Sequence, residues 1–161
     1  MSIEKVRDYL KNFGKDKAII ELEESSATVA LAAQALGTAP ERIAKTLSFS
    51  SNGDEGCILV VCAGDAKIDN SKFKYFFGFK AKMLGAEEVS LLTGHAIGGV
   101  CPFANPESAR VYLDESLKRF ETVFPACGSS NSAIELTLEE LEKTSGFKAW
   151  IDVTKLPETL E

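Results

Sequence analysis

Histidine is almost absent from this chain of 161 residues, since His95 is the single one. A zinc site would therefore depend on the four cysteines, Cys57, Cys62, Cys101 and Cys127. These cysteines form no CxxC pair, and they lack the dense, even spacing of a secreted disulfide scaffold. The sequence therefore predicts reduced thiols and no metal.

Long hydrophobic segments are also missing. The longest apolar run, residues 58–64, is far shorter than a membrane span and is typical of a buried strand. The first twelve residues mix acidic and basic side chains with apolar ones, so they lack the apolar core of a signal peptide. We therefore expect a cytoplasmic protein with no membrane association.

Basic residues are outnumbered, because 18 Lys and Arg stand against 24 Asp and Glu and give a net charge of −6. Affinity for phosphates rises with the number of neutralising lysines and arginines, so an acidic chain is not attracted to nucleic acid in general. Residues 65–82 differ, with five lysines against two aspartates, a local balance of +3. This stretch is either a basic patch or a solvated helix face.

The chain has 45% hydrophobic residues, enough for the core of one domain spanning residues 1–161. Helices are predicted after caps at Ser2, Thr28, Asn70 or Ser71, and Thr137, and over residues 86–93. Strands are predicted over residues 18–22, 43–50, 57–62, 110–113, 121–124, 133–136 and 150–153. Several strands follow one another through short turns. This order favours an α+β (mixed α/β) fold, with a mixed, mostly antiparallel sheet surrounded by helices.

One loop carries the clearest candidate chemistry. Residues 98–103 read GGVCPF, a glycine pair followed by a proline in an apolar stretch. Glycine lets a backbone approach a ligand and proline fixes its course, so the loop can direct peptide N–H groups at a carbonyl oxygen or a phosphate. An ordinary turn between a helix and a strand is the alternative.

Two further segments can accompany that loop. Lys45 stands among apolar residues near the start of the predicted strand 43–50, where it either meets a ligand or rests its stem on the sheet with its ammonium in water. Residues 124–132, FPACGSSNS, form a small-residue loop that can bring backbone and hydroxyl groups to a polar ligand. A plain solvent loop would have a similar composition.

Together, the strand around Lys45, the GxxxP of residues 98–102 and the run LDESLKRFETVFPACGSSNSAIEL of residues 113–136 resemble the YbaK/ProRS-associated editing domain family. The resemblance implies a mixed sheet surrounded by helices. It also implies hydrolysis of the ester between a wrong amino acid and the 3′ end of a transfer RNA. The implied partners are a mischarged tRNA, foremost tRNA(Pro) carrying Cys, Ala, Ser or Thr, and prolyl-tRNA synthetase; no cofactor is implied.

The resemblance extends to individual residues. It places Lys45, Gly98 and Pro102 in the catalytic site, with Lys45 engaging the terminal phosphate or ribose of the tRNA. The resemblance also includes Asp114, by its position in the run of residues 113–136. Selectivity for the amino acid is expected to depend on residues 25–31 and on the two loops. The residues expected to bind substrate are Gly99, Val100, Cys101, Gly128 and Ser129.

Such a site needs no catalytic triad, because an aminoacyl ester is already activated and can be positioned at backbone donors beside a water or its own ribose hydroxyl.

Two other functions fit the same residues. A non-catalytic module could hold an aminoacyl or nucleotide group while docked on a synthetase, which suits an acidic chain. A hydrolase of small esters could use Cys101 as nucleophile and His95 as base, and it would act without tRNA.

Overall fold

The computed structural model describes residues 2–23, 25 and 28–157. Four of the described helices each end on a glycine in the left-handed conformation, which stops a helix without the steric cost that other residues incur there. None of the described helices has both the length and the apolar character needed to cross a membrane. The helices are α1 (Ser2–Lys11), α2 (Val29–Leu36), α3 (Asn70–Phe77), α4 (Ala86–Thr93) and α5 (Leu138–Ser145), and short 3₁₀ turns lie at Asp16–Ala18, Pro40–Arg42 and Glu115–Arg119.

The strands form one larger sheet and two strand pairs. They are β1 (Ile20–Glu21), β2 (Ile43–Ser50), β3 (Cys57–Ala63), β4 (Lys67–Ile68), β5 (Ala109–Asp114), β6 (Thr122–Pro125), β7 (Ser132–Ala133), β8 (Leu136–Thr137), β9 (Trp150–Ile151) and β10 (Thr154–Lys155). Within the described residues the larger sheet has the order β8-β6-β2-β3-β5-β9, while β1 pairs with β7 and β4 pairs with β10.

The expected mixed sheet is confirmed, although its balance of directions differs from the prediction. β2 and β3 form the expected antiparallel hairpin, with Lys45 opposite Cys62. In the larger sheet three pairings, β2 with β6, β3 with β5 and β5 with β9, are parallel. Antiparallel pairing therefore predominates only when the two small strand pairs are counted. Helices α3 and α4 precede β5 and α5 precedes β9, and such long connections allow a strand to return in parallel.

Strand β3 is the centre of the core, because it is buried along its whole length. On one face Leu59 packs in the cluster that contains Val6 and Leu10 of α1. On the other face Ile58 packs with Phe73 of α3. Helices therefore cover both faces of the central hairpin, as its continuous apolar sequence requires.

Two predicted details are wrong. Helix α3 is capped by Asp69 and not by Asn70 or Ser71, because the Asp69 carboxylate accepts the peptide N–H groups of positions 71 and 72. The predicted strand 133–136 is divided between two sheets. β7 pairs with β1 and β8 pairs with β6, and between them the Ile134 N–H donates to the carbonyl of Pro125.

Asp114 serves the fold. It is fully buried, and its carboxylate accepts the N–H of Ser116 at 2.9 Å, the N–H of Val153 at 2.9 Å and the hydroxyl of Thr154 at 2.7 Å. These bonds cap the 3₁₀ turn after β5 and attach the chain segment that leads into β10. The carboxylate is thus occupied by structural partners.

We expect Asp114→Asn to lower the free energy of unfolding by about 2–4 kcal/mol, because an amide cannot accept all three hydrogen bonds and its NH₂ would face buried donors. Urea denaturation measures this change. Asp8→Asn is the matched control, since 79% of that side chain is exposed, and it should change stability by less than about 0.5 kcal/mol. Equal stability of the two variants would contradict the structural role of Asp114.

Candidate functional site

A cavity of about 300 Å³ lies beside β2. β6 pairs with β2 only at Ile43 and Ala44, whereas farther along β2 the carbonyl of Ser48 accepts the N–H of Leu84. The cavity occupies the interval between these two partners, and residues 43–48 of β2 contribute to its lining. Its position is therefore a consequence of β6 being shorter than β2.

The walls of the cavity are mostly apolar. Val29 and Ala32 of α2 contribute one side of the cavity. Val89 of α4 contributes another, together with Val100 of residues 98–103, hereafter the glycine-containing loop. Such walls limit the size of a bound group and keep water from a polar group placed between them.

Lys45 is the cationic group of this cavity. Its ammonium donates to the carbonyls of Gly64 at 3.2 Å and Ala66 at 2.5 Å, in the turn between β3 and β4. An ammonium has three N–H donors, so these two bonds hold it in place and leave one donor for a ligand. The turn itself depends on Gly64, because a Cβ atom there would collide with the backbone of Pro40.

The glycine pair has two separate tasks. Gly98 lines the cavity with φ of +92°, a backbone conformation that favours glycine. Gly99 instead packs against residues 124–132, hereafter the second loop. A Cβ atom added at Gly99 would lie 2.8 Å from the carbonyl carbon of Gly128. The Gly99 N–H donates to the carbonyl of Ala96 at 2.9 Å and closes the turn.

The other predicted residues lie around the cavity and do not line it. Pro102 borders a separate cavity of about 170 Å³. Cys101 is fully buried in the core. Gly128 contacts the backbone of Ser2, and the Ser129 hydroxyl donates to Ser132 at 2.7 Å. These four positions are placed to support the loops rather than to contact a ligand in the larger cavity.

Residues that no sequence motif indicated also line the cavity. Thr46 has a buried hydroxyl without a hydrogen-bond partner in the described part of the chain. Met83 and Ile97 lie at the rim, where they are 59% and 66% exposed. Their apolar character at exposed positions is a signal that only the structure reveals. Of the predicted selectivity segment 25–31, Thr28 and Val29 line the cavity, whereas residues 26 and 27 lie outside the described ranges.

His95 and Cys101 are close together but are not arranged for nucleophilic catalysis. His95 Nε2 lies 2.9 Å from the carbonyl oxygen of Phe103 and 3.6 Å from Cys101 Sγ. A carbonyl only accepts, so Nε2 carries the proton and cannot take one from the thiol, while Nδ1 accepts from the Ser2 hydroxyl. Burial raises the pKa of Cys101 to about 12, which keeps the thiol neutral. Ser2 thus anchors α1 to this histidine and is not a helix cap.

The cavity offers no metal site of the usual kind. Across residues 2–23, 25 and 28–157, no three or more His, Cys, Asp or Glu residues are grouped so that they could hold a metal ion. The polar groups of the residues that line the cavity are the Lys45 ammonium, the hydroxyls of Thr28, Thr46, Ser48 and Ser132, and the backbone of Gly98 and Val100.

The sequence and the structure of this chain are similar to those of known proteins. The model of the aminoacyl-tRNA editing domain family matches residues 23–144. The chain is 56% identical to Uncharacterized protein YwhH of Bacillus subtilis (strain 168), over 96% of this chain and 98% of that protein. It is 30% identical to the proline–tRNA ligase of Leuconostoc citreum (strain KM20) over 89 residues, 55% of this chain and 15% of that enzyme. The crystal structure of a protein proposed as a trans-editing enzyme for prolyl tRNA synthetase superposes with a TM-score of 0.83 at 32% identity, covering 96% of this chain and 97% of that one.

Burial also makes stability depend on the single histidine. Burial lowers the pKa of His95 below its ordinary value of about 6.5. As the pH falls, the unfolded chain therefore binds the proton at a higher pH than the native protein does. The free energy of unfolding should therefore fall as the pH drops below about 6.5, by up to about 1.4 kcal/mol per pH unit from this residue, until the folded pKa is reached.

Urea denaturation of the wild type and of His95→Gln between about pH 7.5 and pH 5.5 isolates this contribution, because the carboxylates titrate alike in both proteins. We expect the stability advantage of the wild type to shrink as the pH falls. An advantage that stays constant across this range would show that His95 titrates normally in the native state.

Proposed function

Because the chain belongs to the aminoacyl-tRNA editing domain family, we propose that it acts in trans as a deacylase that hydrolyses the ester bond of a mischarged tRNA. The observation that carries the proposal is the cavity of about 300 Å³ that both Lys45 and Gly98 line. The proposal treats residues 1–161 as one editing domain in the cytoplasm. The solved relative proposed as a trans-editing enzyme supports action in trans.

The reaction needs little from side chains. A water oxygen forms a bond to the acyl carbon, the ester C–O bond breaks, and a proton passes to the departing ribose oxygen, which leaves a free amino acid and an intact tRNA 3′ end. The peptide N–H groups of Gly98 and Val100 have no acceptor within the described residues, so they can donate to the carbonyl oxygen as its negative charge grows. In this proposal Lys45 donates its remaining N–H to the terminal phosphate or ribose.

The size and lining of the cavity support a small amino acid as the group removed. A binding site distinguishes side chains that differ by one methylene only about 10- to 200-fold, so a synthetase that accepts proline needs a second site for smaller competitors. Walls formed by Val29, Ala32 and Val100 suit a side chain the size of Ala, Cys, Ser or Thr. The unpartnered hydroxyl of Thr46 can bond to a polar group of the bound aminoacyl ester. The sequence match to a proline–tRNA ligase supports tRNA(Pro) as the carrier and prolyl-tRNA synthetase as a partner.

The direct test incubates the purified protein with tRNA(Pro) charged separately with Pro, Ala, Cys, Ser and Thr and follows release of the labelled amino acid. We expect release from one or more of the four mischarged species and retention of proline. No release from any species would overturn the proposal. In that case, binding of uncharged tRNA would identify a non-catalytic binding module.

Lys45→Ala and Lys45→Met should both lower the single-turnover rate constant by roughly tenfold to hundredfold, the effect of losing one charge-assisted hydrogen bond. Lys45→Met keeps the apolar stem and so separates the loss of charge from the loss of packing. Urea denaturation should find both variants folded. Lys148→Ala, which removes an exposed lysine outside the cavity, is the matched control and should act like the wild type. Full activity of Lys45→Met would rule out the assigned role.

Cys101→Ala should retain the wild-type deacylation rate within about threefold, since the buried neutral thiol is no nucleophile. The same single-turnover assay measures this rate, and a denaturation curve separates a folding defect from a chemical one. A folded Cys101→Ala protein without activity would instead support a cysteine-dependent hydrolase.

A further inference from the structure

Two lysines face each other across the short strand pair β4·β10. Lys67 and Lys155 are direct antiparallel partners, and both are exposed. The Cβ atoms of such partners lie about 4.5–5.5 Å apart, and like charges placed there repel. This lysine pair, Lys67 and Lys155, is therefore a local cost to the fold unless an anion binds between the two side chains.

Among the described residues, the carboxylates near the lysine pair in sequence do not neutralise it. Asp65 is bonded to Arg119 at 2.6 Å, Asp69 caps helix α3, and Asp152 is bonded to Lys72 at 3.0 Å. Each of these three acids is occupied by another partner. Within the described residues neither lysine of the pair has an ion-pair partner.

The arginines of this protein differ from the lysine pair, because each of them is neutralised by a carboxylate. All four arginines, Arg7, Arg42, Arg110 and Arg119, lie within 3.4 Å of a carboxylate, as expected for a chain in which acids outnumber bases. Positive charge left without a partner in so acidic a protein is available to an external anion.

The backbone that carries the lysine pair is anchored at β10 and lies next to the candidate site. The Lys72 ammonium donates to the carbonyl of Thr154 at 2.8 Å, and the Thr154 hydroxyl donates to Asp114, so β10 is fixed from two sides. Lys67 directly follows Ala66, whose carbonyl holds the Lys45 ammonium at the cavity. Adjacent Cα atoms are about 3.8 Å apart, so Lys67 lies one residue from the carbonyl that accepts from the Lys45 ammonium.

We propose that Lys67 and Lys155 bind the phosphodiester backbone of the tRNA acceptor arm and thereby orient the 3′ end toward the cavity. This inference rests on the proposed function and adds the surface that the RNA occupies. Phosphates along a nucleic acid strand form a row of negative charges. Two neighbouring cations, Lys67 and Lys155, near the Lys45 ammonium match such a row. The contact carries no base specificity, so it serves affinity and orientation.

The first test uses a fluorescently labelled, uncharged RNA hairpin that contains the acceptor stem and the CCA end. Lys67→Glu/Lys155→Glu should weaken its binding roughly tenfold or more and reduce the slope of log Kd against log salt by about 1.5–2, because two phosphate contacts are lost. Lys17→Glu/Lys148→Glu is the matched control, since it makes the same change in net charge at two exposed lysines outside β4 and β10. Unchanged binding by the Lys67→Glu/Lys155→Glu protein, or equal weakening by the control, would overturn the proposal.

The second test separates binding from folding. Lys67→Ala should raise the melting temperature of the free protein by about 1–3 °C, because it removes the repulsion across the strand pair, while it weakens RNA binding. A purely structural lysine would give the opposite result, a lower melting temperature.

The outcomes distinguish this inference from the proposed function. If the wild type binds the hairpin through the lysine pair but releases no amino acid, the RNA surface stands and the deacylase proposal fails. If the wild type deacylates and the double variant keeps its KM and RNA affinity, the lysine pair is not the RNA surface. Weakened binding of prolyl-tRNA synthetase with unchanged RNA binding would assign the surface to a protein partner and would also overturn the inference.

Discussion

The Lys45 ammonium, held by two backbone carbonyls of the turn between β3 and β4, is the interaction that connects the parts of this protein. It joins the centre of the sheet to the cavity on one side and to the strand pair β4·β10 on the other. Its donors are only partly used, so the same bonds that hold it leave it able to bind a ligand. The turn that supplies the carbonyls exists because Gly64 allows the chain to pass close to Pro40.

A second constraint is the close packing of three backbones. Gly99 contacts Gly128, and Gly128 contacts Ser2 at the start of α1. The glycine-containing loop therefore rests on the second loop, which rests on a helix that is itself bonded to His95. These contacts determine the course of the loop at Gly98 and Val100, the two loop positions that line the cavity. Gly99 and Gly128 are needed for the close packing of the backbones, although neither lines the cavity.

The buried cysteine and histidine show how proximity differs from reactivity. Cys101 and His95 are 3.6 Å apart, which in an exposed cleft would indicate a nucleophile and its base. Burial raises the pKa of the thiol and lowers the pKa of the histidine, and the Phe103 carbonyl fixes the proton on the wrong nitrogen. Both side chains contact the Phe103 carbonyl and so support the loop of residues 98–103, while the proposed deacylation relies on the ester, the backbone and Lys45.

Local sequence determined the helices, their glycine ends, the β2–β3 hairpin and the family, which the match over residues 23–144 confirms. These features depend on periodicity, caps and short-range motifs, which are written in consecutive residues. The cap at Asp69 and the division of residues 133–136 were mispredicted because neighbouring residues offer similar local chemistry, and a bond to a distant partner decides between them.

For the site, sequence indicated Lys45, Gly98 and Val100, whereas tertiary structure decided which residues share a cavity. Pro102, Cys101, Gly128 and Ser129 occur in the right segments but support the loops, while Thr46, Met83 and Ile97 reach the cavity without any motif. The facing lysines of β4 and β10 are 88 positions apart and meet only through strand register. Sequence determined which chemical groups are present, and long-range packing determined which of them meet, because burial and contact depend on segments that lie far apart in the chain.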